Sequence, residues 1–218
     1  VLAAAFAALF YVIARALIVR CRIHLLRLDA GTRSLLLAVG AFGAYSLGAN
    51  NIANVMGVFV PAFPEGTAIL FGELELSYAQ LLFLIGGLAI SAGVFTYSRR
   101  VMMTVGKDLF RLTPTTALIV VLAEAVVLFL FASQRLADWL VANGLPALPL
   151  VPVSSSQAVI GGVIGIALVR GARGFRVGVL GRIAGGWVAT PVIAAVLAFL
   201  GLFFLQNVFG MTVYLPGP

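Results

Sequence analysis

Asn50, Asn51 and Asn54 stand inside an otherwise apolar stretch, 34–60, and Ser154, Ser155, Ser156 and Gln157 follow Pro152 at the head of another. On a helix, positions 50, 51 and 54 fall within about 100° of arc, so the three amides point one way. Lipid cannot satisfy them, and that face must meet protein, water or an ion. A helix–helix hydrogen-bond knot is one reading. Gly48 beside them, a weak helix former, favours a broken helix that lines a cavity. In the second set, a proline followed by hydroxyls marks a helix start, with one hydroxyl capping the first turn. The remaining free N–H groups and the positive end of the dipole form an anion site without any buried arginine. An ordinary interfacial cap fits the same residues equally well, and Thr113-Pro114-Thr115-Thr116 reads that way. Glu124 is the third anomaly, an acid with apolar neighbours on both sides. At that depth it must be protonated, paired or bound to a cation. Pairing with a helix terminus or with the amides competes evenly with a coupling-ion role.

The elements that must hold these groups are written in the charge pattern. The chain has 218 residues, 62% of them hydrophobic, with 10% charged, and a mean hydropathy of +1.16. Soluble domains carry roughly 25% charged residues, so a soluble enzyme, a disordered tail and a nucleic-acid module are excluded as leading readings. Of 14 Lys/Arg, all but Arg135 fall into three clusters. These are Arg15, Arg20, Arg22, Arg27 and Arg33; Arg99, Arg100, Lys107 and Arg111; and Arg170, Arg173, Arg176 and Arg182. Between them run six stretches near 1–19, 34–60, 78–98, 113–133, 152–169 and 183–206, against the roughly 20 apolar residues that a crossing needs. Counting six crossings puts every cluster on one face. The opposite face receives 61–77, with three acids and no Lys/Arg, then 134–151 and the uncharged tail 207–218. The positive-inside rule makes loops 20–33, 99–111 and 170–182 cytoplasmic. The +7 net charge therefore reports orientation and no nucleic-acid partner.

The other signals are secondary. Gly40, Ala44 and Gly48, and again Gly181 and Gly185, form small-residue stripes suited to close helix approach. Thr190-Pro191 predicts a kink in the last span, with a hydroxyl or a neighbouring helix satisfying the freed carbonyl. His24 and the single cysteine, Cys21, lie in a basic loop with no carboxylate cluster, which gives no catalytic or metal centre. Val1 opens inside an apolar run without a charged leader region, and 1–19 reads as a true span whose start is missing. The whole of 1–218 reads as one membrane domain.

Four elements in order resemble the inorganic phosphate transporter (PiT) family. Gly48-Ala49-Asn50-Asn51-Ile52-Ala53-Asn54 resembles its GANDxxN signature, and Pro152-Val153-Ser154-Ser155-Ser156-Gln157-Ala158 its second signature. Gly106-Lys107 through Leu112-Thr113-Pro114 to Ala123-Glu124 is similar to the stretch between them. Gly185-Gly186-Trp187-Val188-Ala189-Thr190-Pro191 is similar to a late Trp-x-x-Thr-Pro element. The resemblance implies an all-α polytopic bundle with discontinuous or re-entrant helices, one half of an inverted-repeat transporter in the plasma membrane. It implies cation-coupled symport of phosphate, or in some members sulfate, and a homodimer. Only one copy of each signature is present, so the chain is expected to be a fragment or to need a second repeat. The family's usual Asp is Asn51 here and its usual His is Gln157. Asn51 offers a cation an oxygen without charge, and Gln157 donates to an oxyanion but does not titrate. Sulfate needs only donors, whereas hydrogen phosphate also offers a proton that an Asp would accept; the family favours phosphate, which is the reading adopted. Ser154, Ser155, Ser156 and Gln157 are then expected to bind the anion. Asn50, Asn51 and Asn54 line the cavity and hold Na⁺ if sodium rather than H⁺ is the coupling ion, and Glu124 supplies the charge that Asn51 lacks. No cofactor is expected. A membrane enzyme acting on lipid phosphates lacks its nucleophile or metal cluster, and a non-transporting helical subunit is the remaining rival.

Overall fold

The computed structural model describes residues 1–21, 24–70 and 74–213. Arg22, Glu73 and the end of the tail, 214–218, lie outside the described residues. The elements in order are α1 (Leu2–Arg20), α2 (Leu25–Met56), a tighter 3₁₀ segment (Gly57–Ala62), and strands β1 (Thr67–Leu70) and β2 (Leu74–Ser77). They continue with α3 (Tyr78–Met103), a wide turn of π type (Thr104–Leu109), α4 (Pro114–Leu130), α5 (Gln134–Ala142), α6 (Ser155–Val169) and α7 (Val177–Phe209). This is an all-α membrane bundle carrying one short antiparallel hairpin, in which Thr67 faces Ser77 and Leu70 faces Leu74. Two compact units divide the chain, Val1–Phe175 and the segment from Arg176 onward.

Hydroxyl side chains set where four of the helices begin. Ser77 accepts from Gln80 N at 3.2 Å while the Gln80 amide accepts from Ser77 N at 2.8 Å, a reciprocal capping box at the head of α3. Thr113 and Thr116 do the same for α4, with Pro114 at the position where a missing N–H costs nothing. Ser133 at α5 and Ser154 at α6 cap one way only, each hydroxyl accepting from the N–H three residues on. At the far end of α7, Gly210 adopts φ 63°, the left-handed cap that glycine takes without strain.

Four helical stretches are long and apolar enough to cross a membrane: Leu2–Arg20, Leu28–Ala62, Tyr78–Leu109 and Val177–Phe209. A fifth is formed by α4 and α5 only if the pair counts as one span, since they meet at a 63° bend. The six hydrophobic segments expected near 1–19, 34–60, 78–98, 113–133, 152–169 and 183–206 fall on α1, α2, α3, α4, α6 and α7. Helix α6 has 15 residues, a rise of about 22 Å against a hydrocarbon core of roughly 30 Å.

Within the first unit the core sits on α4 and α6. Val120, Leu128, Val163 and Ile166 are fully enclosed there, as is Leu109 at the end of the π-type turn. Since lipid is as apolar as leucine, close packing rather than transfer from water holds such helices together, and small residues mark the contacts. Ala3, Ala4 and Ala7 of α1 lie against Gly161, Gly162 and Gly165 of α6. Helix α2 meets α4 through Gly43, where an added methyl would sit 3.6 Å from Val121 and 3.8 Å from Ala125, and through Phe42, whose ring lies 5.6 Å from that of Phe129.

Three local expectations change. Helix α2 is continuous through Gly48 and the amides, not broken there; a glycine costs about 1 kcal/mol in a helix, which packing along the same helix outweighs, and the regular turn tightens only at Gly57, ahead of Pro61. The stripe Gly40, Ala44 and Gly48 is not the contact seam, since a methyl at Gly40 or Gly48 would meet open space, as it would at Gly181 and Gly185. The third change is an addition: the stretch 61–77 carries the hairpin, where Thr67 Oγ1 donates to Glu75 at 2.8 Å. In the second unit α7 runs as one helix through Pro191, and Thr190 Oγ1 donates to the Gly186 carbonyl at 2.7 Å. Val192, Leu197, Phe199 and Phe203 lie exposed along it.

Candidate functional site

Helix α6 begins out of an extended segment. Ser154, in extended backbone at φ −68° and ψ 113°, accepts from Gln157 N at 3.4 Å. The Ala158 N–H turns back to the Ser154 carbonyl at 3.0 Å. Among the described residues the N–H groups of Ser155 and Ser156 have no partner. They are the orphan donors every helix start leaves, and here they sit among three hydroxyls.

The approach to this turn is fixed by Asn50. Its Nδ2 donates to the Val151 carbonyl at 3.2 Å and its Oδ1 accepts from Val153 N at 2.7 Å, so one buried amide copies the edge of a strand. Both atoms of the amide are engaged by backbone, which makes Asn50 a positioning residue for α6. From the other side, Glu124 of α4 lies near the Ser155 side chain. Three elements far apart in sequence thus converge on one helix start: α2 through Asn50, α4 through Glu124, and the 151–157 segment itself.

The other residues singled out from sequence are placed as follows. The Asn51 Nδ2 is buried without a hydrogen-bond partner. Leaving a buried donor unmatched costs about 1–3 kcal/mol, and rotation of the amide about its last bond presents Oδ1 to the same spot instead. Asn54, one turn on, is exposed, as are Ser154, Ser156 and Gln157, while Ser155 is half-buried toward α4. The amides therefore divide into a backbone clamp, a buried unmatched group and an exposed group, rather than forming one uniform lining. Sequence reasoning missed the partners of Asn50, the backbone of Val151 and Val153. Nothing in those two valines marks them, because any residue but proline supplies the same groups.

The arrangement can offer N–H and O–H donors to an oxyanion beside a carboxylate and amide oxygens suited to a cation, inside a helical bundle. That combination defines a multi-pass membrane protein built around an interrupted helix. The chain matches the Phosphate transporter family over residues 19–198 and again over 139–214, and it belongs to that family. It is similar to a protein of Thermococcus kodakarensis named "putative phosphate permease", 32% identical over 169 residues, covering 77% of this chain and 38% of that one. A permease of the same name from Pyrococcus horikoshii is 31% identical across 76% of this chain and 37% of its own length. Another from Haemophilus influenzae is 26% identical across 80% and 38%. The chain thus spans well under half the length of these curated relatives. No solved structure matches it.

Proposed function

We propose that this chain is one repeat of a cation-coupled symporter that carries inorganic phosphate across the plasma membrane, with the start of α6 as its anion site. The observation that carries the reading is the convergence on the start of α6 of Asn50, bonded to Val151 and Val153, and Glu124, near Ser155. An ionised carboxylate beside orphan N–H donors repels an incoming oxyanion, since like charges a few ångströms apart interact strongly at low dielectric. Neutralised by a proton or by Na⁺, the same group leaves the donors free to bind. That dependence is what couples an anion to a cation. Ser154, Ser155, Ser156 and Gln157 supply donors, Asn50 fixes the turn, and Asn51 and Asn54 offer oxygens to the cation. A second repeat, in the same or another chain, completes the cavity, and rocking of one repeat against the other gives alternating access. The arginine-bearing loops face the cytoplasm. The grouping of Arg15 and Arg170 beside the start of α4 supports this orientation.

Uptake of radiolabelled phosphate by the protein in vesicles tests the site. Ser155→Ala is expected to lower uptake about tenfold, the scale of one lost hydrogen bond to a charged group, and Asn54→Ala to weaken the cation dependence. If both substitutions leave uptake intact, the assignment is wrong. Glu124→Gln keeps a hydrogen-bonding group of the same shape and removes the charge. It should abolish stimulation by a cation gradient while phosphate-for-phosphate exchange continues. Wild-type cation dependence in this variant removes Glu124 from the mechanism.

A sulfate reading is favoured by one feature, the unmatched Asn51 Nδ2, since a buried neutral donor suits an anion with no proton to give. Competition decides it: sulfate that blocks phosphate uptake at equal concentration reverses the choice of substrate.

A further inference from the structure

At the opposite end of α6 from Ser155, a cleft of about 250 Å³ opens between α1, α4 and α6. Two guanidiniums, Arg15 and Arg170, border it, together with the Tyr11 and Thr115 side chains. No acidic side chain lines it. Arg170 is steadied by the ring of Phe110, with its guanidinium carbon 5.4 Å from the ring centroid, and Phe110 is itself buried. Among the described residues neither guanidinium has a carboxylate partner; the ion pair present there is Arg33 with Asp29. The Tyr11 and Thr115 hydroxyls are likewise without hydrogen-bond partners among them. The cleft lies beside the capped start of α4, whose dipole adds positive potential. Its remaining wall is apolar, formed by Ile18, Val19 and Ile119.

We propose that this cleft binds the phosphate headgroup of an anionic membrane lipid. The two arginines and two hydroxyls take the phosphate oxygens, and the lipid's glycerol and upper acyl chain lie along Ile18, Val19 and Ile119. Arginines at a membrane surface often extend toward water, which explains exposed guanidiniums. It does not explain a recess between three helices that pairs two cations with unused hydroxyls and an apolar wall. Free phosphate shares the headgroup chemistry, but it would leave that wall bare. At roughly 30 Å³ per water, the cleft is also larger than an ion of five heavy atoms requires. Some 22 Å of helix separate this cleft from Ser155, so the proposal stands apart from the transport site.

Native mass spectrometry of the full chain, released from vesicles of equal parts phosphatidylglycerol and phosphatidylcholine, tests it. The wild type is expected to retain phosphatidylglycerol with a preference of roughly ten- to thirty-fold at low salt, the scale for two surface cations, declining as salt rises. The double variant Arg15→Gln with Arg170→Gln should fall to near parity, the pair Arg15→Lys with Arg170→Lys should keep most of the preference, and Arg182→Gln should keep all of it. Equal enrichment in the glutamine double variant would overturn the site, as would loss in the lysine pair or in Arg182→Gln. Displacement of the lipid by millimolar inorganic phosphate would assign the cleft to the free ion instead.

Discussion

Asn50→Leu is expected to abolish phosphate uptake and to lower the protein's thermal stability. The side chain it replaces is buried and holds two backbone groups at once, the Val151 carbonyl at 3.2 Å and the Val153 N–H at 2.7 Å. Leucine has the same branched shape, with bulkier methyl groups, but satisfies neither. Each buried group left unmatched costs about 1–3 kcal/mol, so a loss of about 1–3 kcal/mol follows even if one of the two finds water. The segment then slips relative to α2, and the first turn of α6 no longer faces Glu124. Asn50→Asp separates the two bonds. A carboxylate still accepts from Val153 N but confronts the Val151 carbonyl with a second acceptor; the protonated acid restores a donor. Uptake by this variant, normalised to the wild type at each pH, should therefore be low at neutral pH and recover on acidification. Uptake above half of the wild-type rate in Asn50→Leu would show that the clamp is dispensable.

Gly165→Val should prevent α1 from docking at all. A side-chain carbon at this position would land on the Ala4 carbonyl oxygen, with the Ala4 carbonyl carbon and Cα each 2.8 Å away. These are backbone atoms of a neighbouring helix, which no rotamer change relieves. Overpacking of a well-filled core costs about 1–3 kcal/mol and at times more, and here the strain falls on the contact that joins the two helices. The expected result is little monodisperse protein after extraction, with Gly165→Ala intermediate. Gly185→Ala makes the control, since open space surrounds that glycine and alanine is the better helix former by about 1 kcal/mol. Equal thermal stability of Gly165→Val and the wild type would mean that α1 does not pack on α6 as described.

What was legible in the sequence was what side chains carry. Ser77, Thr113, Ser133 and Ser154 announce helix starts because their hydroxyls do the capping themselves. Apolar length identifies α1, α3 and α7, and the isolation of Glu124 among apolar neighbours marks it out. What was not legible depends on backbone and on distance. Asn50 reaches residues more than 100 positions away, and its partners there are main-chain atoms with no signature. The α2 helix survives Gly48 because tertiary packing overrides local propensity. The seam between α2 and α4 runs through Gly43 rather than the more regular stripe, since spacing tells which residues share a face but not which face finds a neighbour. The hairpin escaped because strands of four residues give too few alternations to stand out.

The shortness of α6 has an electrical consequence. A helix of 15 residues rises about 22 Å against a hydrocarbon core of roughly 30 Å, so on the proposed reading, with Arg170 at one surface, an ion bound at Ser155 would have fallen through part of the transmembrane voltage and not all of it. At about 2.3 kcal/mol per charge for each 100 mV, half to three quarters of that drop alters occupancy by roughly tenfold for a single charge. On that reading membrane potential would be a variable of anion affinity, acting on loading from one side and release to the other in opposite senses.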